Sequence, residues 1–354
     1  NINLRKVKIT NKVVLVTGAG GSIGSELCRQ IITFNPEHLI LFEISESALY
    51  QIQQEIIHIA ASSIRISSIL GSIKDFKRMV NIFENYKVQT IYHAAAYKHV
   101  PLVEYNQSQG VLNNSIGTMA LSKAAIEAKV ETFVLISTDK AVRPTNTMGA
   151  TKRVAELALQ ALSKQDHSTN LTMVRFGNVL DSSGSVIPLF KKQISEGGPV
   201  TITDENMVRY FMTIPEAVEL VIQAGAMGIG GDVFVLDMGD PVRINDLAEK
   251  MIRLSGLVVV DRQNPDGDID IIYTGIRPGE KLFEELLVGS NISKTENKLI
   301  MRAQEDMINW DILEPLLIKL ESAAINNDND EVRELLLEIV PEFKPNFLIK
   351  DSLL

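Results

Sequence analysis

The chain carries one cysteine, one tryptophan and no apolar run long enough to cross a bilayer, and each scarcity narrows what it does. A lone Cys28 forms no internal disulfide, which fits a reducing compartment such as the cytoplasm. Its place inside an apolar segment with helical spacing marks it as packing rather than catalysis. A spanning helix needs about 18 or more predominantly apolar residues, and no stretch approaches that. The amino terminus also lacks the charged-then-apolar pattern of a secretory signal. Positive charge is short too: 35 lysines and arginines stand against 44 acidic residues, a net charge of -9. With no compact basic block, that balance argues against nucleic acid and against membrane contact by this chain. His38, His58, His93, His99 and His167 do not stand at close metal-ligand spacing, so no metal site is expected.

What is present is an ordinary globular composition, 45% hydrophobic and 22% charged over 354 residues, enough for one large or two modest domains. The polar lead-in from Asn1 to Asn11 suggests a processed or truncated product. Val13-Val14-Leu15-Val16 is a β-branched run that passes into Thr17-Gly18-Ala19-Gly20-Gly21-Ser22-Ile23-Gly24 and then into helical spacing through Leu27, Ile31 and Ile32. This is strand, glycine loop, helix. Gly18 permits the tight turn, Gly21 the approach of a pyrophosphate, and Gly24 close packing of helix on strand, with the helix amino terminus facing the phosphates. The next strand, Leu39 to Phe42, ends at Glu43, nineteen residues after Gly24. An acid there accepts hydrogen bonds from adenosine ribose hydroxyls and repels a 2′-phosphate, so NAD is favoured over NADP.

The alternation continues. Ile64 to Leu70 reads as a third strand, followed by Ser72 and Ile73, with Ile73 placed to cover an adenine. Thr90-Ile91-Tyr92 leads into His93, Ala94 and Ala95, small residues that leave room for a flat cofactor, and then Lys98 and His99. Asn113 to Thr118 opens a helix with a small-residue face. Thr132 to Ile136 reads as a buried strand ending in Ser137-Thr138-Asp139-Lys140, ahead of Met148-Gly149-Ala150-Thr151-Lys152 and a helix through residue 163. Polar chemistry at a strand's carboxyl end is where open α/β sheets bind ligands. The expected fold is therefore α/β, a doubly wound parallel sheet with a smaller carboxyl-terminal α/β region. Residues 1–180 would be mainly the dinucleotide domain, 181–300 mainly the substrate region with strands free to return to the sheet, and 301–354 a helical tail. A helix is expected to begin at Arg277-Pro278-Gly279-Glu280-Lys281.

The Gly18, Gly21 and Gly24 loop, Asn114-Ser115-Ile116-Gly117-Thr118, Lys152, Arg175-Phe176-Gly177-Asn178-Val179 and Ile214-Pro215-Glu216-Ala217 together resemble the extended short-chain dehydrogenase/reductase family. Within it, Ser137 to Val142, Pro144-Thr145-Asn146, Lys98-His99-Val100-Pro101 and Arg277 to Lys281 resemble the UDP-N-acetylglucosamine 4,6-dehydratases of bacterial polysaccharide and glycan synthesis. The family's tyrosine, four residues before Lys152, is Met148 here. That departure resembles the long, membrane-anchored branch, in which this chain would be the cytoplasmic catalytic domain.

The resemblance implies NAD, UDP-N-acetylglucosamine as partner and a homo-oligomer. It implies Lys140 as the base for C5, Asp139 as the acid, and Thr138 as the hydrogen-bond donor to the C4 oxygen. It places Ser137 and Lys152 beside the cofactor, Lys98 at the substrate mouth, Asn178 and Arg209 near the diphosphate, and Arg277 with Glu280 on the uridine side. A lysine base needs its pKa brought down from about 10.4, and Lys152 and the oxidised nicotinamide ring are the cations expected to repel it. Because the Met148 thioether cannot accept the C4 hydroxyl proton, Asp139 or a water held by Thr138 and Lys152 must. A 4-epimerase, a net dehydrogenase and a non-catalytic dinucleotide sensor are the other readings. The first is disfavoured by Met148 and the Asp139-Lys140 pair, and the last by the retention of Thr138, Asp139, Lys140 and Lys152 together.

Overall fold

The computed structural model describes residues 2–285 and 292–345. Among them runs a nine-stranded sheet. Its strands include β1 (Val13–Thr17), β2 (His38–Glu43), β3 (Arg65–Leu70), β4 (Thr90–His93), β5 (Thr132–Ile136) and β6 (Asn170–Arg175). Across the sheet the order is β3-β2-β1-β4-β5-β6, then Asp232–Leu236, all parallel. Ile300–Ala303 and Ile292–Lys294 close the far edge antiparallel. The order reverses between β1 and β4, the switch point at which doubly wound sheets open a crevice at their strands' carboxyl ends. Sequence patterning explains the strands. β1, β2 and β4 are buried at every position, as a parallel sheet covered on both faces requires.

Side chains of β1 alternate between the two faces. Val14 and Val16 join a core built with helices Ser22–Ile32, Glu46–Ile59 and Ile214–Met227. Val13 and Leu15 join another built with Phe76–Tyr86, Gly117–Glu127 and Thr147–Leu162. Cys28 is fully buried in the first, and burial pushes its thiol pKa up. A third core lies beyond Thr147–Leu162. There the helices Trp310–Ile325 and Asn329–Ile339 cover Ala150, Val154, Leu157 and Ala161, so that every residue of Thr147–Leu162 is buried. A fourth core joins Val186–Ser195, Val200–Ile202 and Ile244–Leu254 into a smaller body. Strands 232–236 and 300–303 lie in the main sheet although they follow residue 181 in the chain.

Two local outcomes depart from the patterning. No helix begins at Arg277: residues 274–285 form turns and irregular backbone. Gly279 sits at φ +75°, a left-handed conformation no helix uses, and the Glu280 carboxylate turns back to accept the Arg277 backbone N–H at 3.2 Å. Residues 286–291, where that helix would have continued, lie outside the described residues. The helix expected at Asn113 opens as a π-helix over Val111–Ile116. Buried Asn114 there accepts the Tyr97 N–H at 2.8 Å and donates to the Tyr97 carbonyl at 2.9 Å.

Candidate functional site

The glycine loop leaves β1 at Gly18, whose φ of +63° only glycine adopts without strain. A Cβ there would lie 2.8 Å from the Ala95 backbone nitrogen, and one at Gly24 would lie 1.9 Å from the Gly18 carbonyl oxygen. Both contacts demand glycine on steric grounds alone. The helix Ser22–Ile32 is capped by Gly21, which has no side chain to occupy its first N–H groups. Gly21, Ser22, Ile23 and Gly24, with Ala94 opposite, line a cavity of ≈ 900 Å³. A cleft of that size, floored by glycine backbone and facing a helix amino terminus, fits a dinucleotide.

Glu43 closes the outer end of this loop. Its carboxylate is buried and accepts the backbone N–H groups of Gly20, Ile44 and Ser45 at 2.9–3.0 Å. Ser72 and Ile73 follow β3, and neither lines the cavity. Ile73 is a core side chain instead, packed against Gly117 and the helices of its face.

The other wall is made where β5 ends. The Ser137 N–H bonds to the Val174 carbonyl at 2.7 Å and the Asp139 N–H to the Phe176 carbonyl at 3.1 Å, carrying the β5–β6 pairing past the strand. A short 3₁₀ turn, Asp139–Ala141, then starts with Thr138 as its cap. Thr138 Oγ1 donates to Asp139 Oδ1 at 2.9 Å, and Lys140 Nζ lies 3.0 Å from the same oxygen. Asp139 is 1% exposed and its Oδ2 has no hydrogen-bond partner among the described residues. Gly177 leaves the room beside that oxygen, since a Cβ there would approach Oδ2 to 3.2 Å.

Lys140 Nζ also donates to Asn178 Oδ1 at 3.3 Å and lies 3.6 Å from Glu284 Oε1. Burial opposes its charge, but Asp139 and Glu284 outweigh that and hold the ammonium pKa above the ordinary lysine value, with Arg209 pulling the other way. Among the described residues the cations that face Lys140 are Arg209 and Lys98, where the sequence suggested Lys152. Lys152 Nζ is turned to the Ile136 carbonyl at 2.7 Å, and burial brings its pKa down to about 8. Met148 is buried in the same cavity wall. His93 stands behind it, between Thr17 Oγ1 and Thr118 Oγ1 at 2.7 and 2.9 Å, kept neutral by burial and by the Lys152 charge.

On the substrate side, Arg209 Nη2 lies 3.4 Å from Glu280 Oε1, and its Nε 3.9 Å from Glu284 Oε1. Lys98 and Arg277 are exposed on the rim, and burial together with Lys140 lowers the Lys98 pKa. Thr138, Lys140, Met148, Lys152, Ser137, Lys98, Asn178, Arg209, Arg277 and Glu280 thus share one cavity with the glycine loop, and Asp139 lies directly beneath it. Among the described residues no cluster of His, Cys, Asp and Glu is arranged to hold a metal.

Sequence reasoning missed two groups. Glu284 is buried against Lys140 and Arg209 although it follows a motif that reads as an exposed helix start. Ser137 Oγ donates to Glu156 Oε1 at 2.6 Å, which opens a buried quartet of Arg153, Glu156, Arg175 and Glu305. The only signal for the quartet was an arginine at the end of an apolar strand.

Comparison with known proteins agrees with this architecture. The model of the family described as polysaccharide biosynthesis protein matches residues 14–305. The capsular polysaccharide biosynthesis protein CapD of Staphylococcus aureus is 52% identical over 280 residues, 79% of this chain and 46% of that protein. A UDP-glucose 4-epimerase of Rickettsia canadensis is 33% identical over 292 residues, 81% of each chain. The X-ray structure of Pen from Bacillus thuringiensis superposes with a TM-score of 0.74 at 35% identity, covering 86% of this chain and 90% of that one. The chain spans about half the length of CapD. No helix among the described residues is long and apolar enough to cross a membrane. The chain belongs to the polysaccharide biosynthesis protein family and carries the extended short-chain dehydrogenase/reductase fold.

Proposed function

We propose that this chain is an NAD-dependent UDP-N-acetylglucosamine 4,6-dehydratase acting in polysaccharide synthesis. The observation that carries the reading is the Asp139–Lys140 pair, 3.0 Å apart at the end of β5. It adjoins the cavity that the glycine loop also lines, with a thioether, Met148, in place of a hydroxyl base. NAD along that loop supplies a hydride acceptor and, later, a hydride donor; Glu43 favours it over a 2′-phosphorylated cofactor.

The remaining chemistry falls to side chains. Thr138 holds the C4 oxygen, and Asp139 takes the C4 hydroxyl proton that Met148 cannot. The C4 ketone acidifies the C5 proton, which Lys140 removes as the free amine while Asp139 returns its proton to the departing C6 hydroxyl, releasing water. Lys140, an ammonium whose hydrogens exchange with solvent, then protonates C5 as C6 regains the hydride. Neutralising Asp139 in the first step removes the counter-charge nearest Lys140 and so favours the amine needed in the second. Arg209 and Asn178 suit a diphosphate, and Arg277 with Glu280 suit a uridine ribose.

A 4-epimerase is the second reading, favoured by the Rickettsia canadensis relative. It needs a hydroxyl base and no base for C5, which Met148 and Lys140 oppose. Incubating the purified chain with UDP-N-acetylglucosamine and no added reductant separates the two by mass spectrometry. Loss of one water without accumulation of NADH is the expected result. An unchanged mass with a new C4 isomer would move the function to epimerase, and no turnover of any UDP-hexosamine would overturn both.

A further inference from the structure

The mechanism above uses one carboxylate beside Lys140, but the structure places two there. Glu284 reaches the cluster from the irregular 277–285 segment and is buried, its side chain 5% exposed. Its Oε1 stands between Lys140 Nζ at 3.6 Å and Arg209 Nε at 3.9 Å, and its Oε2 finds no hydrogen-bond partner among the described residues. A buried carboxylate with a free oxygen is costly to keep unless it serves something. Packing does not explain it, because a leucine or methionine of similar size would fill the space without that cost.

We propose that Glu284 is a positioning residue for Lys140. Its carboxylate holds the lysine head on the side away from Asp139, anchors Arg209 through the same oxygen, and sets when Lys140 carries its proton. The inference rests on the dehydratase reading for its purpose, though not for its test. Asp139 changes charge as the C4 proton arrives, whereas Glu284 does not line the cavity. It therefore remains the one carboxylate that keeps Lys140 Nζ oriented while Asp139 is neutral. The charged groups facing Lys140 are Asp139 from its own loop, Glu284 from the 277–285 segment, Arg209 from Val208–Arg209 and Lys98 from the segment after β4, with Asn178 accepting a hydrogen bond. The directions agree: both carboxylates favour the ammonium, and Arg209 opposes it.

The test measures the protonation midpoint of Lys140 directly, by competitive acetylation with acetic anhydride across a pH series and mass spectrometry of the peptide. No turnover is required. A chain that fails to dehydrate the nucleotide sugar would refute the function proposed above and leave this measurement standing. An opposite charge this close is worth about 1–3 pH units, so Glu284→Gln is expected to lower the Lys140 midpoint by at least about one unit. Glu285→Gln, next along the chain and paired with Arg143, is expected to leave it in place. Glu284→Asp, which keeps the charge, is expected to restore most of the shift. In turnover the acid limb of kcat/KM should move to lower pH with Glu284→Gln. An unchanged Lys140 midpoint in folded Glu284→Gln, or an equal fall in Glu284→Asp, would overturn the proposal. Should Glu284→Gln not fold, Glu284→Met, which fills the same space without charge, is measured in its place: a midpoint lowered by about one unit supports the proposal and an unchanged one would overturn it.

Discussion

Two clusters of buried charge begin two residues apart in this chain, one at Ser137 and one at Asp139, and they are built on opposite terms. In the first, Glu156 and Glu305 face Arg153 and Arg175, all four side chains at most 6% exposed. Every carboxylate oxygen there takes an N–H from a guanidinium: Arg175 Nε to Glu156 Oε1 at 2.7 Å, Arg153 Nη1 to Glu156 Oε2 at 3.2 Å, Arg175 Nη2 to Glu305 Oε2 at 2.8 Å, with Arg175 Nη1 reaching Glu305 Oε1. Burial would raise the Glu156 pKa, but Arg175 outweighs it and holds the carboxyl at about 2. In the second cluster the pairs are looser, 3.0 to 3.9 Å, and two oxygens, Asp139 Oδ2 and Glu284 Oε2, have no hydrogen-bond partner among the described residues. A saturated network fixes one arrangement. An unsaturated one leaves acceptors and a lysine head ready to exchange protons with something in the cavity.

The contrast predicts different consequences for similar substitutions. Removing one partner of the saturated set leaves a buried, uncompensated charge, so Arg175→Leu is expected to cost about 3–5 kcal/mol of folding stability, read from denaturant unfolding. Asp139→Asn should do the reverse. Turnover is expected to fall about 10²–10⁴-fold, the range for a lost acid–base group, with the unfolding midpoint close to wild type. A stable Arg175→Leu or an unfolded Asp139→Asn would erase the distinction.

Lys152 sharpens it from the side. Burial lowers its pKa to about 8, while the unfolded lysine stays near 10.5. Below the folded value both states are protonated and the folded state bears the full desolvation cost; above the unfolded value neither is charged and the cost vanishes. Stability should therefore rise with pH between these values, by about 3 kcal/mol for that separation. Lys152→Met should flatten the rise in denaturant midpoints across that window, and a rise of equal size in the variant would assign it to other groups. The smallest effect is reserved for the half-exposed Arg143–Glu285 pair, outside both clusters. Arg143→Ala is expected to change stability by no more than about 1 kcal/mol, and a loss as large as that of Arg175→Leu would erase the difference between surface and buried pairing.

The fold was legible where local and global requirements coincide. The Val13–Thr17 strand needs apolar residues on both faces, and Gly18 and Gly24 are demanded by backbone contacts only glycine allows, so strand, loop and helix each announce themselves. Much of the site was legible for the same reason, since Ser137 to Lys140 follows directly from a buried strand. The quartet was not, because Glu305 meets Arg175 only through the return of the chain to the sheet beside Asp232–Leu236. Glu284 was hidden by a misleading local pattern. Glu280, Lys281, Glu284 and Glu285 look like the charged face of a helix, and only the turn at Gly279 sends Glu284 inward. Ile73 is the converse: patterning offered it to an adenine, and the structure buries it against Gly117 in the core of its face.

The central claim is that the unsaturated cluster removes and replaces the C5 proton. The most direct test is incubation of the chain with UDP-N-acetylglucosamine in deuterated water, with NMR and mass spectrometry of the product. The account predicts loss of one water, deuterium at C5 and protium returned to C6, all abolished in Lys140→Met. A dehydrated product without solvent deuterium at C5, or full activity in Lys140→Met, would contradict it.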